Sequence, residues 1–133
     1  MTHERQLQLL LRALGLFDLL AFAAVLMPDE WMASTHARLG MGDFPRAPVV
    51  DYLTRSASLM YAQHGAVFLF LSGDVRRFRP LIRFMASIAM VSGVIMLAID
   101  LLAGIPLFWT VIEGPGYIFL ASLVLMLQRQ SPP

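Results

Sequence analysis

The sequence predicts an all-α integral membrane protein: a four-helix bundle with a short interfacial helix in its first, outer loop. Three observations point there. The 133 residues are 58% hydrophobic and only 14% charged, whereas a soluble domain carries about 25% charged residues. Four stretches approach the roughly 20 apolar residues that a helix needs to cross the hydrocarbon core. Proline, glycine and arginine punctuate their ends, where helices stop, turn or reach the headgroups. A single domain over residues 1–133 is expected for this length.

The first span runs from about Leu9 to Met27, carries Arg12 and Asp18, and is stopped by Pro28. Its apolar run ends in Met27-Pro28-Asp29-Glu30 without a small-residue cleavage site, so it reads as a retained helix rather than a signal peptide. The second span, about Leu53–Leu71, closes at Ser72-Gly73-Asp74. The third, about Pro80–Leu102, opens on a proline that a first helical turn tolerates. Gly104-Ile105-Pro106 then makes a tight turn into the fourth, about Leu107–Leu127, so the last two spans form an antiparallel hairpin. No internal repeat is evident along the chain.

Orientation follows from the arginines, which concentrate on the cytoplasmic side of membrane proteins. The loop 72–79, with Arg76, Arg77 and Arg79 and then Arg83, is the densest basic cluster. It belongs in the cytoplasm, and alternation places both termini there too. The outer loop, 28–52, holds Asp29, Glu30, Asp43 and Asp51 against Arg38 and Arg46. Within it Asp29 can cap a short helix through about Leu39, with Trp31, Met32 and Leu39 on one side and Trp31 at headgroup depth. The loop is either a connector that seals the outer end or a lid over a site.

Net charge is only +1, which gives no general basic field for nucleic acid. Cysteine is absent, so disulfides, thiolate metal sites and cysteine nucleophiles are excluded. No metal-ligand spacing or phosphate loop is present, and no metal or cofactor is predicted.

What remains is a set of polar residues inside the apolar segments, where a charge asks for a partner or a role. They are Asp18, Arg55, Tyr61, Gln63, His64, Asp100 and Glu113. At about 1.5 Å rise per residue, Asp18 and His64 both fall roughly 15 Å from the outer edge, near the midplane. Arg55, Asp100 and Glu113 share the outer leaflet. Ala57, Tyr61, His64 and Phe68 follow one helical face, and Gly65 beside them admits another backbone. Glu113 precedes Gly114-Pro115-Gly116, where the proline frees a carbonyl and should kink the helix. Arg55, Tyr61, His64, Asp100 and Glu113 are therefore the candidate ligand-binding residues, with His64, Glu113 and Asp100 as candidate acid–base groups. The structural alternatives are a bonded core histidine, an Arg55–Glu113 lock between helices, an Asp18 bonded to a neighbouring helix, and an Asp100 that snorkels or caps the turn at Gly104. Ala89 and Gly93 make a small-residue pair suited to a seam, within the chain or between protomers.

The layout resembles the small bacterial four-span membrane proteins of the DoxX-like group. The matching stretches are Leu26-Met27-Pro28, His64-Gly65-Ala66-Val67-Phe68 and Arg76-Arg77-Phe78-Arg79-Pro80. The resemblance covers most of the chain as layout and implies a multi-pass protein of a bacterial inner membrane, acting as an accessory subunit. It transfers no functional residue. Three functions follow as expectations. The first is a non-catalytic accessory or lipid-binding module, probing membrane lipids and partnered by itself or another membrane protein. The second is an intramembrane enzyme on a lipidic substrate, using His64 or Glu113. The third is a proton or ion pathway formed in an oligomer.

Overall fold

A computed structural model describes residues 2–129 of the chain. Every regular element in them is an α-helix: α1 (His3–Leu19), α2 (Phe22–Leu26), α3 (Asp29–Arg38), α4 (Pro48–Leu71), α5 (Arg79–Ala103) and α6 (Leu107–Arg129). Three helical segments are long and apolar enough to cross a membrane: His3–Leu26, Arg79–Ala103 and Leu107–Arg129. α4 matches them in length, at 24 residues, or about 36 Å of helix. Its composition is more polar, because Asp51, Arg55, Gln63 and His64 lie within it.

The chain divides into two compact units. One comprises Met1–Leu10 with Leu71–Pro133, and the other Leu11–Phe70.

In the unit formed by Leu11–Phe70, the first span is not the uninterrupted helix that hydropathy suggests. The amides of Leu20, Ala21, Ala23 and Ala24 bond carbonyls three residues back, at 3.0–3.1 Å. Ala21 has φ −58° and ψ −22°, the values of a 3₁₀ turn. No proline or glycine causes this break, which lies immediately after Asp18. A second correction concerns α3. Pro28, not Asp29, occupies the N-cap, without a side-chain cap; the Asp29 carboxylate is instead drawn to Arg55. Met32 is buried while Trp31 is 65% exposed, so the two do not share a buried side.

Within this unit α1 and α4 meet backbone to backbone. A Cβ on Gly15 would lie 2.8 Å from the Gly65 carbonyl oxygen and 3.0 Å from the Leu69 nitrogen. One on Gly65 would lie 2.6 Å from the Gly15 oxygen and 2.7 Å from the Leu19 nitrogen. Only glycine fits such an approach, which maximises dispersion between helices that have little else to attract them in lipid.

In the other unit α5 and α6 make the same contact. A Cβ on Gly93 would lie 2.7 Å from the Gly114 oxygen and 2.8 Å from the Ile118 side chain. One on Gly114 would lie 2.8 Å from the Gly93 oxygen and 2.9 Å from the Leu97 nitrogen. Leu19 and Leu97 each stand one turn beyond their glycine, as do Leu69 and Ile118. Aligning the glycines also superposes Arg5, Gly15, Leu19, Pro28 and Trp31 on Arg83, Gly93, Leu97, Pro106 and Trp109 at one constant offset. The chain thus does contain an internal repeat of a glycine-joined helix pair. It is hidden in the sequence because the long outer loop lengthens only the first copy. The contact also assigns Gly93 of the Ala89/Gly93 pair to a seam within the chain.

The α5–α6 hairpin is closed at both ends. Gly104, at φ 68°, ends α5 in the left-handed conformation that favours glycine, and its amide and that of Ile105 both donate to the Asp100 carbonyl. At the other end the Arg79 guanidinium donates to the Gln128 carbonyl, and the Gln128 side-chain amide donates back to the Arg79 carbonyl at 3.1 Å. Arg76 ties the start of α1 to the preceding turn through Glu4, at 2.8 Å. That hydrogen bond and the Glu4 charge raise the Arg76 pKa above its ordinary value.

Candidate functional site

The residue pair with the clearest chemical potential is Asp18–His64. His64 Nδ1 lies 3.2 Å from Asp18 Oδ2, across α1 and α4. The pair owes its existence to the glycines: Asp18 is three residues beyond Gly15, His64 immediately precedes Gly65, and the backbone contact brings the two side chains within reach. Their side chains are 38% and 19% exposed for His64 and Asp18 respectively, so the imidazole is partly accessible. Phe68, one turn on, packs against the imidazole with ring centroids 4.3 Å apart. With the carboxylate accepting from Nδ1–H, the other ring nitrogen, Nε2, is left with a lone pair.

Arg55 is the other organised group of this unit. Its Nε donates to Asp51 at 2.7 Å, its Nη2 to Asp29 at 2.6 Å, and its Nη1 to the carbonyls of Val25 and Met27 at 2.7 and 3.1 Å. The last two carbonyls belong to the end of α2, where helical donors run out. Arg55 therefore fastens the entry of the outer loop to α4. Sequence reasoning missed Asp29 and Asp51 as its partners. The i, i+4 spacing of Asp51 and Arg55 was a legible signal for one of them.

Tyr61 lies three residues before His64 on α4. It is 38% exposed and makes no hydrogen bond among the described residues.

In the other unit Glu113 accepts from the Trp109 indole Nε1 at 2.5 Å, one turn away on α6. α6 continues through Pro115, which has no N–H to offer the Val111 carbonyl. Glu113→Ala should release the indole and shift Trp109 fluorescence, measured in a Trp31→Phe background. An unchanged spectrum would show that the bond is not formed in the membrane.

Asp100 neither snorkels nor caps the turn with its side chain. It is 4% exposed; its backbone carbonyl takes the capping amides, and its Oδ2 has no hydrogen-bond partner among the described residues. Among those residues no three His, Asp or Glu side chains gather closely enough to hold a metal ion.

Charge is distributed unevenly along this unit. Arg79 and Arg83 begin α5, Arg129 ends α6, and no arginine or lysine occurs between residues 84 and 128. No protein-family model matches the chain, and no curated protein or solved structure shows significant similarity to it.

Proposed function

We propose that this chain crosses the bilayer four times and serves as a membrane module that binds a lipid or another apolar ligand. The observation that carries this reading is the Asp18–His64 pair: a polar, partly accessible group that joins the apolar first span to the more polar α4. Such a group is costly in lipid unless it recognises something. α4 supports a fourth span by its length, and its charged residues Asp51 and Arg55 sit in its first two turns. The arginines at one end of the α5–α6 hairpin favour placing that end, and with it both termini, in the cytoplasm. The DoxX-like layout favours a bacterial inner membrane and an accessory role beside another membrane protein or a second copy of the chain.

Native mass spectrometry of protein released from nanodiscs tests the reading and counts the subunits. A lipid or small molecule should be retained at fixed stoichiometry by the wild type and lost in His64→Phe. A wild type that retains nothing would sink the proposal.

An intramembrane enzyme acting on a lipidic substrate is the second reading, favoured by the uncommitted His64 Nε2. It requires a turnover that His64→Ala abolishes.

A further inference from the structure

We infer that the Asp18–His64 pair selects an uncharged lipid whose headgroup ends in a hydroxyl, of the diacylglycerol or long-chain alcohol type, over a phosphodiester lipid. The inference rests on the lipid-binding reading above and supplies its ligand class.

The first argument is the direction of the hydrogen bond. Asp18 Oδ2 lies opposite His64 Nδ1; with the carboxylate ionised and the imidazole neutral, Nδ1 carries the proton and the Nε2 lone pair is left as the acceptor. In a low-dielectric site such an acceptor pairs best with an O–H donor.

The second argument is charge. A phosphodiester beside Nε2 would face the Asp18 carboxylate, and the arginines that α1 and α4 contribute to this unit are not placed to offset it. Arg12 is six residues before Asp18 on α1, about 9 Å along the axis and on a different face. Arg55 is nine residues before His64, about 14 Å along α4, and its nitrogens are already engaged by Asp51, Asp29, Val25 and Met27. A neutral headgroup meets no such penalty.

The third argument is a second contact point. Tyr61 lies three residues before His64 and is a helix-surface neighbour of it. Its phenol is exposed and has no hydrogen-bond partner among the described residues. A diacylglycerol, which has no charge to hold it at the interface and can sink to the depth of the pair, carries both groups needed to satisfy the two side chains. Its hydroxyl donates to Nε2, and an ester carbonyl accepts from the Tyr61 O–H. Exposed Phe17, Leu20 and Val67 flank the pair in sequence and offer apolar surface for the acyl chains.

The test compares lipids that differ by one donor. The full chain is placed in phosphatidylcholine nanodiscs with a diacylglycerol, its O-acetyl derivative or phosphatidylglycerol, each bearing a photoactivatable acyl chain. Cross-linking is quantified and mapped by mass spectrometry. The diacylglycerol should label the α1–α4 segments around residues 17–20 and 61–68 about 10-fold more than the other two lipids, the scale of a single hydrogen bond. His64→Phe should bring the ratio to about 1. Asp18→Asn, which keeps an acceptor for Nδ1 and so spares the fold, should lower it. Equal labelling of those segments by all three lipids overturns the hydroxyl selectivity but leaves lipid binding standing. No labelling there by any lipid overturns both.

Discussion

Gly65→Val is expected to separate α1 from α4 and to cost about 1–3 kcal/mol, the usual range for forcing extra volume into a packed site. The upper end is expected, because even a single Cβ at Gly65 would meet backbone atoms of Gly15 and Leu19 at 2.6 and 2.7 Å, not the tip of a flexible side chain. Backbone cannot rotate away; the whole helix must move. The same change should break the Asp18–His64 bond, whose reach depends on that approach. Thermal unfolding in detergent measures the first effect, and the histidine ¹⁵N spectrum the second. Because the contact recurs, Gly114→Val should destabilise the α5–α6 pair similarly, while Gly116→Val, where a Cβ meets nothing within 4 Å, serves as a control. A Gly65→Val variant that melts with the wild type would refute the close approach.

Arg55→Met should free the start of the outer loop. One guanidinium there serves two carboxylates and two carbonyls, and methionine replaces none of those donors while keeping the aliphatic stem. The Val25 and Met27 carbonyls would lose their partner, and Asp29 would lose the contact that fixes the first turn of α3. Hydrogen exchange over residues 25–32 should rise towards that of an open loop, with α6 unaffected. Arg55→Lys should rescue little, because a single ammonium cannot reach out in three directions as the planar fork does. Unchanged exchange in Arg55→Met would mean that the loop is held by other contacts, Met32 burial first among them.

These expectations separate what was legible in the sequence from what was not. Helix positions at 79–103 and 107–129 follow from apolar length and from Pro80, Gly104 and Pro106, all local signals. The break after Asp18 carries no local signal, since Leu20 and Ala21 are ordinary helix residues; hydrogen bonding to carbonyls three back defines it. Arg55 and Asp51 were separable by spacing, whereas Asp29 enters only because α2 and α3 fold back along α4. Asp18 and His64 each stand out in the sequence, and periodicity places His64 on one face with Phe68, which packs against it.

The sequence by itself determined the class of protein: a helical chain with apolar segments fit for a membrane, a basic end, and a few polar residues that need a reason. Those properties are sums over neighbouring residues, so composition and period report them. The tertiary structure decided which polar residues meet. Asp18 and His64 are 46 residues apart, and their bond depends on a crossing that Gly15 and Gly65 permit but do not announce. The repeat, which the long outer loop obscures in the first copy, rests on two glycines per copy, and the matching contacts at Leu19 and Leu97 give them meaning.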